Sequence, residues 1–568
     1  MCCSFSITFY PAKRQNETRS ETTQLFQAFH TIPPASDKHI LFHFILFFKS
    51  YILSFIYFVD IKIIFCKTDA HFVDSYNSVP KNMMLEWFMD DFNRDIHCAR
   101  RFMAPDHRIP RTGSAEQLIK DLTVGKPWKT ILTFTIPMML SMIFQQIYSI
   151  VDSIIAGNYI GENALAAVGA SAPITVLFIA VANGLGMGCS VVVSQIFGAK
   201  DLKRLRTAIS TSLITVIVFS VVFTIIGIIT VNPLMTLLKT PANIFEDAAL
   251  YLKIYAWGIV FLFIYNVSTA IYTALGDSKT PLYFLIFSSL LNIGLDILFV
   301  TTFHMGVAGV AWATFIAQGL SGILCMAFLV FRVSKIKTEG YKKFDSGNLK
   351  HIAVFGIPSI LQQSFISVGQ LFVQGLINSY GSTVVAGFSA GFKINIFMIA
   401  SVTTLSNALS SYTAQNLGAQ KHRRILSGYR CSILMSLLLA GLFMGVYFGF
   451  GEQLLRLFVG RDGSADVIKV GTDFLRIVSA FYPIISIKLI TDGVLRGIGS
   501  MKPFMIGTLL DLVVRVSFSY ILSPILGYVG IWWSWPIGWA VGAIAVIAGY
   551  LTERKKLTSK IRAAQSQA

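Results

Sequence analysis

Apolar runs of twenty residues or more recur along most of this 568-residue chain, and no other feature narrows its possible folds as much. A strand in a soluble core needs ~4–8 such residues, whereas a helix that crosses a bilayer needs about 20. Only 13% of the residues are charged and 54% are apolar, against the ~25% charged expected of a soluble domain. That composition excludes a disordered chain and argues against a soluble enzyme. The expectation is an all-α integral membrane protein.

The chain carries 47 Lys and Arg against 29 Asp and Glu, a net charge of +18. Such a balance could suggest nucleic acid, but here the basic residues fall in short loops on alternate sides of the apolar runs, as the positive-inside rule requires. No nucleic-acid partner is implied. The seven cysteines (Cys2, Cys3, Cys66, Cys98, Cys189, Cys325 and Cys431) form no CxxC pair and no Cys/His cluster, so neither a disulfide framework nor a zinc site is expected.

From Pro127 onward the pattern becomes regular. It predicts twelve spans, at 130–156, 166–194, 208–231, 248–274, 282–302, 307–332, 351–378, 385–415, 428–450, 467–494, 504–524 and 528–551. Residues 1–120 differ. Their one long apolar stretch, 40–66, is interrupted by Lys49, Asp60 and Lys62. It reads either as an additional non-core helix or as sequence upstream of a true start at Met83, Met84, Met89 or Met103; the second reading is preferred.

The second half repeats the first at an offset of 220 to 223 residues. Phe134-Thr-Ile-Pro137 matches Phe355-Gly-Ile-Pro358. Gln195-Ile-Phe-Gly198-Ala199 matches Gln415-Asn-Leu-Gly418-Ala419. Gly306, Gly309 and Trp312 match Gly527, Gly530 and Trp533. Six helices separate equivalent positions, so the halves share one orientation, as parallel repeats about an axis along the membrane normal. The implied organisation is an N-terminal extension (1–120), a first six-helix lobe (121–333), a joining loop (334–349), a second lobe (350–552) and a basic tail (553–568). The loops after even-numbered spans hold 17 Lys or Arg, among them Lys200, Arg204, Lys279, Lys342, Arg496 and Lys502; the others hold three, Lys239, Arg456 and Arg461. Both ends of the twelve-helix core are therefore expected on the cytoplasmic side.

Polar residues inside spans are costly and usually face a bundle interior or a cavity. Ser141, Gln145, Tyr148 and Asp152 share one face of the first span. Asn292 and Asp296 stand at i, i+4 on the fifth, and Thr314 and Gln318 at i, i+4 on the sixth. Carboxylate, amide and hydroxyl oxygens suit a hard cation, and a buried carboxylate can also hold and release a proton. Either ion could drive antiport. The alternative for Asp152 and Asp296 is simple solvation near the interface. The second half places Val373 opposite Asp152, flanked by Gln370 and Gln374, and carries Lys393, Lys488, Asp492, Asp511 and Arg515. Asp511 and Arg515 at i, i+4 read equally as an ion pair. Pro137 is either a hinge or a fixed bend. Gly184, Gly186 and Gly188 read as close-packing positions.

The run 121–174, opening DLTVGKPWKTILTFTIPMMLSMIFQQIYSIVDSIIAGNYIG, resembles the start of the multidrug and toxic compound extrusion (MATE) transporters. GLGMGCSVVVSQIFGAKD (184–201), ALGDSKTP (274–281), NIGLDILFV (292–300) and GVAGVAWAT (306–314) resemble later signatures of that family, in order and at matching spacing. The resemblance covers about 120–552 and is nearest to the bacterial DinF and Gram-positive multidrug exporter branches. It implies twelve helices in two pseudo-symmetric lobes and a cation-coupled antiporter, not an enzyme. Such a protein would export organic cations against H+ or Na+ and need no cofactor. It also implies a first-lobe ion site at Asp152, Asn292, Asp296 and Thr314, which would be the metal ligands if Na+ couples, with Pro137 bending on ion binding. Gln145, Tyr148, Gln318, Gln370 and Gln374 are the candidate substrate-cleft residues. A monomer in the plasma membrane is expected. The acidic pair that another branch carries on its seventh and eighth helices is missing, and the extension 1–120 has no counterpart. The rival reading is a flippase for a lipid-linked oligosaccharide, which would need a cationic cleft; Lys393, Lys488, Arg496 and Arg515 are the residues that could line one.

Overall fold

The structure is a computed structural model that describes residues 121–566, apart from 156–158, 161, 239, 337 and 460–463. The stretch 40–66 and its alternative readings lie outside the described residues. The first lobe contains α1 (Pro127–Ile155), α2 (Glu162–Gly198), α3 (Leu202–Leu237), α4 (Ala242–Trp257), α5 (Ile259–Ala274), α6 (Lys279–Ile297) and α7 (Gly306–Ser334). The second contains α8 (Ser346–Asn378), α9 (Ser382–Gly418), α10 (His422–Val459), α11 (Ala465–Ser479), α12 (Tyr482–Ile498), α13 (Met501–Leu526) and α14 (Tyr528–Ser566).

Ten of these helices are long and apolar enough to cross a bilayer alone. Two pairs, α4 with α5 and α11 with α12, qualify together and bend by 48° and 57°. Counting each pair once gives twelve spans. The bends fall within the predicted spans 248–274 and 467–494: at Gly258, and just before the Pro483 that opens α12. Apolar periodicity does not register them, because hydropathy reports immersion and not axis direction. An all-helical solution follows from the solvent: in hydrocarbon each backbone N–H and C=O must find its partner within the segment. The bilayer also accounts for the side chains left outside. Ile229, Leu237, Ile525 and Ile544 are each about 70% exposed or more, a belt of large apolar residues suited to lipid.

The repeat seen in the sequence is a repeat of packing. The first helix of the first lobe, α1, packs on α6 of its own lobe and on α9 and α10 of the other; α8 packs on α13 of its own lobe and on α2 and α3 of the other. Each lobe thus lends its first helix to its partner. Accordingly Leu122, Ile131 and Phe134 are buried in the second lobe's core, and Ile352 in the first lobe's.

Glycine makes the cross-lobe approaches possible. A Cβ on Gly188 would stand 2.5 Å from the Gly356 Cα, so α2 and α8 touch backbone to backbone. Where α2 and α9 cross, a Cβ on Gly198 would lie 1.9 Å from the Gln415 carbonyl oxygen, and one on Gly418 1.9 Å from that of Gln195. The two glutamines complete this crossing reciprocally. The Gln195 side chain donates to the Gly497 carbonyl at 3.3 Å, and Gln415 to the Ala274 carbonyl at 2.8 Å. These contacts lie at the end of the molecule that carries the basic loops.

Candidate functional site

The first-lobe cluster is built by the α6–α7 hairpin. Asp277 caps α6 by accepting from the Lys279 and Thr280 backbone N–H groups at 3.1 and 3.0 Å, an arrangement that also suits the positive end of the helix dipole. The same carboxylate pairs with Arg332 in the last turn of α7, which pins the two helices together at the basic end. At the other end α6 widens into a π-turn, Leu298–Thr302, before the chain reverses at His304 and Gly306. Such π-bulges are frequent near functional sites.

Between these fixed ends Asn292, Asp296 and Thr314 meet, all buried, with Asp296 0% exposed. The Asn292 amide is satisfied when its nitrogen donates to Asp296 Oδ2 at 2.9 Å and its oxygen accepts from the Thr314 backbone N–H at 3.1 Å. Turned the other way, its nitrogen reaches only Thr314 Oγ1, at 3.4 Å. The amide therefore ties the carboxylate on α6 to α7, and a hydroxyl stands beside it. This is an oxygen-rich, buried group of the kind that binds a hard cation or a proton. Among the described residues no three His, Cys, Asp or Glu side chains form a metal cluster, so an alkali ion here would draw on amide and hydroxyl oxygens as well.

The other expected residues are placed as follows. Asp152 lies in α1, the helix packed on α6; its side chain is outside the described set. On α1, Tyr148 is half-buried and Gln145 exposed. Gln318, one turn beyond Thr314, is half-buried and lies near Tyr255 of α4, a neighbour that sequence spacing did not indicate. Gln370 and Gln374 sit on α8 of the second lobe, apart from the cluster, and Gln374 donates to Asn378 at 2.9 Å. Pro137 is buried inside α1, which remains helical through it; its carbonyl accepts from the Ser141 hydroxyl at 3.0 Å.

The second lobe holds a different arrangement. Lys488 Nζ lies 3.3 Å from Asp492 and 3.4 Å from Asp511, while Arg515 donates to Asp511 at 2.9 Å. Lys488, Asp492 and Asp511 are each at most 4% exposed. The expected Asp511–Arg515 pair forms, and the Lys488–Asp511 link across helices joins it to the i, i+4 pair on α12. Gly538 and Gly542 let α14 sit directly over the network, and the Arg515 guanidinium lies 5.1 Å from the Trp535 ring. Lys393 is exposed on α9. Arg496, expected in a loop, is instead a buried residue of α12.

The MatE family model matches residues 137–298 and again 358–521, one copy in each lobe. The chain belongs to the MatE family. It is 30% identical over 413 residues to the probable multidrug resistance protein YpnP of Bacillus subtilis, covering 72% of this chain and 92% of that protein. It is 22% identical to the multidrug export protein MepA of Staphylococcus saprophyticus, covering 76% and 95%. A crystal structure of MATE in the bent conformation superposes with a TM-score of 0.71 at 26% identity, covering 80% of this chain and all of that one. This MatE protein is a multi-pass membrane transporter, not an enzyme, of the multidrug efflux class.

Proposed function

We propose that this MatE transporter is a secondary active exporter that exchanges H+ or Na+ for organic cations by alternating access of its two lobes, with the Asp296 cluster as its coupling site. The observation that carries the reading is the buried Asp296–Asn292–Thr314 group beside α1. A carboxylate there can take up an ion or attract a cationic substrate in a low-dielectric cleft, and ion uptake cancels that attraction. Transport couples because ion and substrate favour different states or compete. In the cycle, external ion binds at Asp152 and Asp296 while substrate leaves. The loaded protein turns inward and releases the ion, and cytoplasmic substrate then binds. Pro137, where α1 lacks a backbone hydrogen bond, is the bending point, a reading supported by the solved relative named for its bent conformation. The protein acts as a monomer in the plasma membrane, needs no cofactor, and keeps both ends of the helical core in the cytoplasm.

The flippase alternative asks for a cationic cleft. Lys488 and Arg515 are neutralised by acids and Lys393 is exposed, which leaves Arg496 alone. The test is ethidium accumulation in pump-deficient cells that express the full chain. The expected result is reduced accumulation with wild type, and loss of that reduction in Asp152→Asn and on collapse of the ion gradient. Equal accumulation in all three would remove the organic-cation reading.

A further inference from the structure

A cavity of about 180 Å³ lies between the lobes, lined from the first by Met138, Asn183, Ser190 and Asn266 and from the second by Asn407 and Arg496, among others. None of Gln145, Tyr148, Gln318, Gln370 and Gln374 lines it. Its walls are amides, hydroxyls and apolar groups, with one charge, the Arg496 guanidinium. Arg496 is 5% exposed and forms no ion pair among the described residues. Its NH2 donates to Asn407 Oδ1 at 2.7 Å and its Nε to Ser410 Oγ at 3.3 Å. Its NH1 meets only the Met187 sulfur, at 3.3 Å, a weak acceptor.

The nearby acids are outnumbered: Asp492, one turn before Arg496 on α12, lies within electrostatic reach of it but makes its ion pair with Lys488. Asp492 and Asp511 face Lys488 and Arg515, two negative charges against two positive. Arg496 is thus the surplus cation of this buried region. A buried charge with no direct ion pair, in a cluster that is one cation in excess, is costly, and a planar guanidinium with free donors beside a polar cavity is suited to bidentate recognition of a carboxylate or phosphate. Asn183 brings a further amide to the same space, as does Asn266, whose nitrogen also donates to the Leu262 carbonyl at 2.8 Å.

We propose that this inter-lobe cavity is a binding site for an oxyanion, the carboxylate or phosphate group of a small solute, held by Arg496. Because its walls come from α1, α2 and α5 on one side and α9 and α12 on the other, an occupant bridges the lobes. The proposal is independent of ion coupling in the first lobe.

The full chain, purified in detergent, is titrated with sodium succinate and with sodium phosphate, each against sodium chloride at equal ionic strength, and thermal unfolding is followed by tryptophan fluorescence. A saturable rise in Tm with at least one oxyanion, absent with chloride, is expected. Arg496→Gln weakens the apparent affinity at least about tenfold. Asn407→Asp is the second variant. It keeps the side-chain shape and sets an internal carboxylate on the same guanidinium, so it is expected to fold at or above wild-type stability and to lose oxyanion binding. It decides the matter if Arg496→Gln fails to fold. The same shift with chloride as with both oxyanions, or wild-type affinity in Asn407→Asp, overturns the proposal.

Discussion

The two lobes share a scaffold and fill it with opposite chemistry. The offset of 221 that aligns Gly306, Gly309 and Trp312 with Gly527, Gly530 and Trp533 sets Thr314 against Trp535 and Gln318 against Trp539. In the first lobe both positions on α7 are polar, and Thr314 borders a buried carboxylate held by an amide. In the second lobe the positions on α14 are indoles, and the carboxylates of α12 and α13 are bound to Lys488 and Arg515. An acid held by an amide can exchange an ion with little rearrangement. An acid locked between two cations cannot do so without leaving a buried charge exposed to low dielectric. One arrangement is suited to work, the other to hold helices together.

Asp511→Asn should break the comparison most visibly. It leaves Lys488 and Arg515 in excess, and removal of one partner from such a network costs about 3–5 kcal/mol. A large drop in the thermal midpoint is expected, and an unchanged midpoint would mean the network is not structural. Next are Gly198→Ala and Gly418→Ala. Each new methyl would collide with a facing backbone carbonyl, and such overpacking costs about 1–3 kcal/mol. Pseudo-symmetry predicts that the two lose transport equally; a loss in only one would show that the crossing is asymmetric in use. Thr314→Val is the gentlest probe. Loss of one hydroxyl beside Asn292 costs about 1 kcal/mol, so gradient-driven transport should fall about fivefold while Trp535→Phe, its counterpart, leaves coupling intact.

Much of the scaffold was legible because a bilayer imposes one rule on every span. Twelve apolar runs, their repeat and the glycines of α2 could all be read from composition and spacing. The bends at Gly258 and before Pro483 could not, nor could the helical ends: α14 runs on to Ser566 through residues too polar for the bilayer but compatible with a helix in water. The exchange of α1 and α8 between lobes is a long-range choice that periodicity does not encode. At the site, i, i+4 spacing placed Asn292 with Asp296 and Thr314 with Gln318, and the structure joins the pairs through one amide. The same spacing marked Asp511 with Arg515, but the Lys488–Asp492 pair at i, i+4 went unread and nothing in the sequence signals the Lys488–Asp511 contact, which depends on glycines in α14. Arg496 reads as a loop charge in the sequence, because its place near a basic connection hides its burial.

The most direct test of the account uses the full chain in proteoliposomes, an imposed proton or sodium gradient, and a fluorescent organic cation. Wild type should move the cation in response to one of the gradients. Asp296→Asn, close in shape to the native residue, should unfold at the wild-type temperature and show no gradient response. Gradient-driven transport at the wild-type rate in Asp296→Asn would contradict the claim that this carboxylate couples ion to substrate.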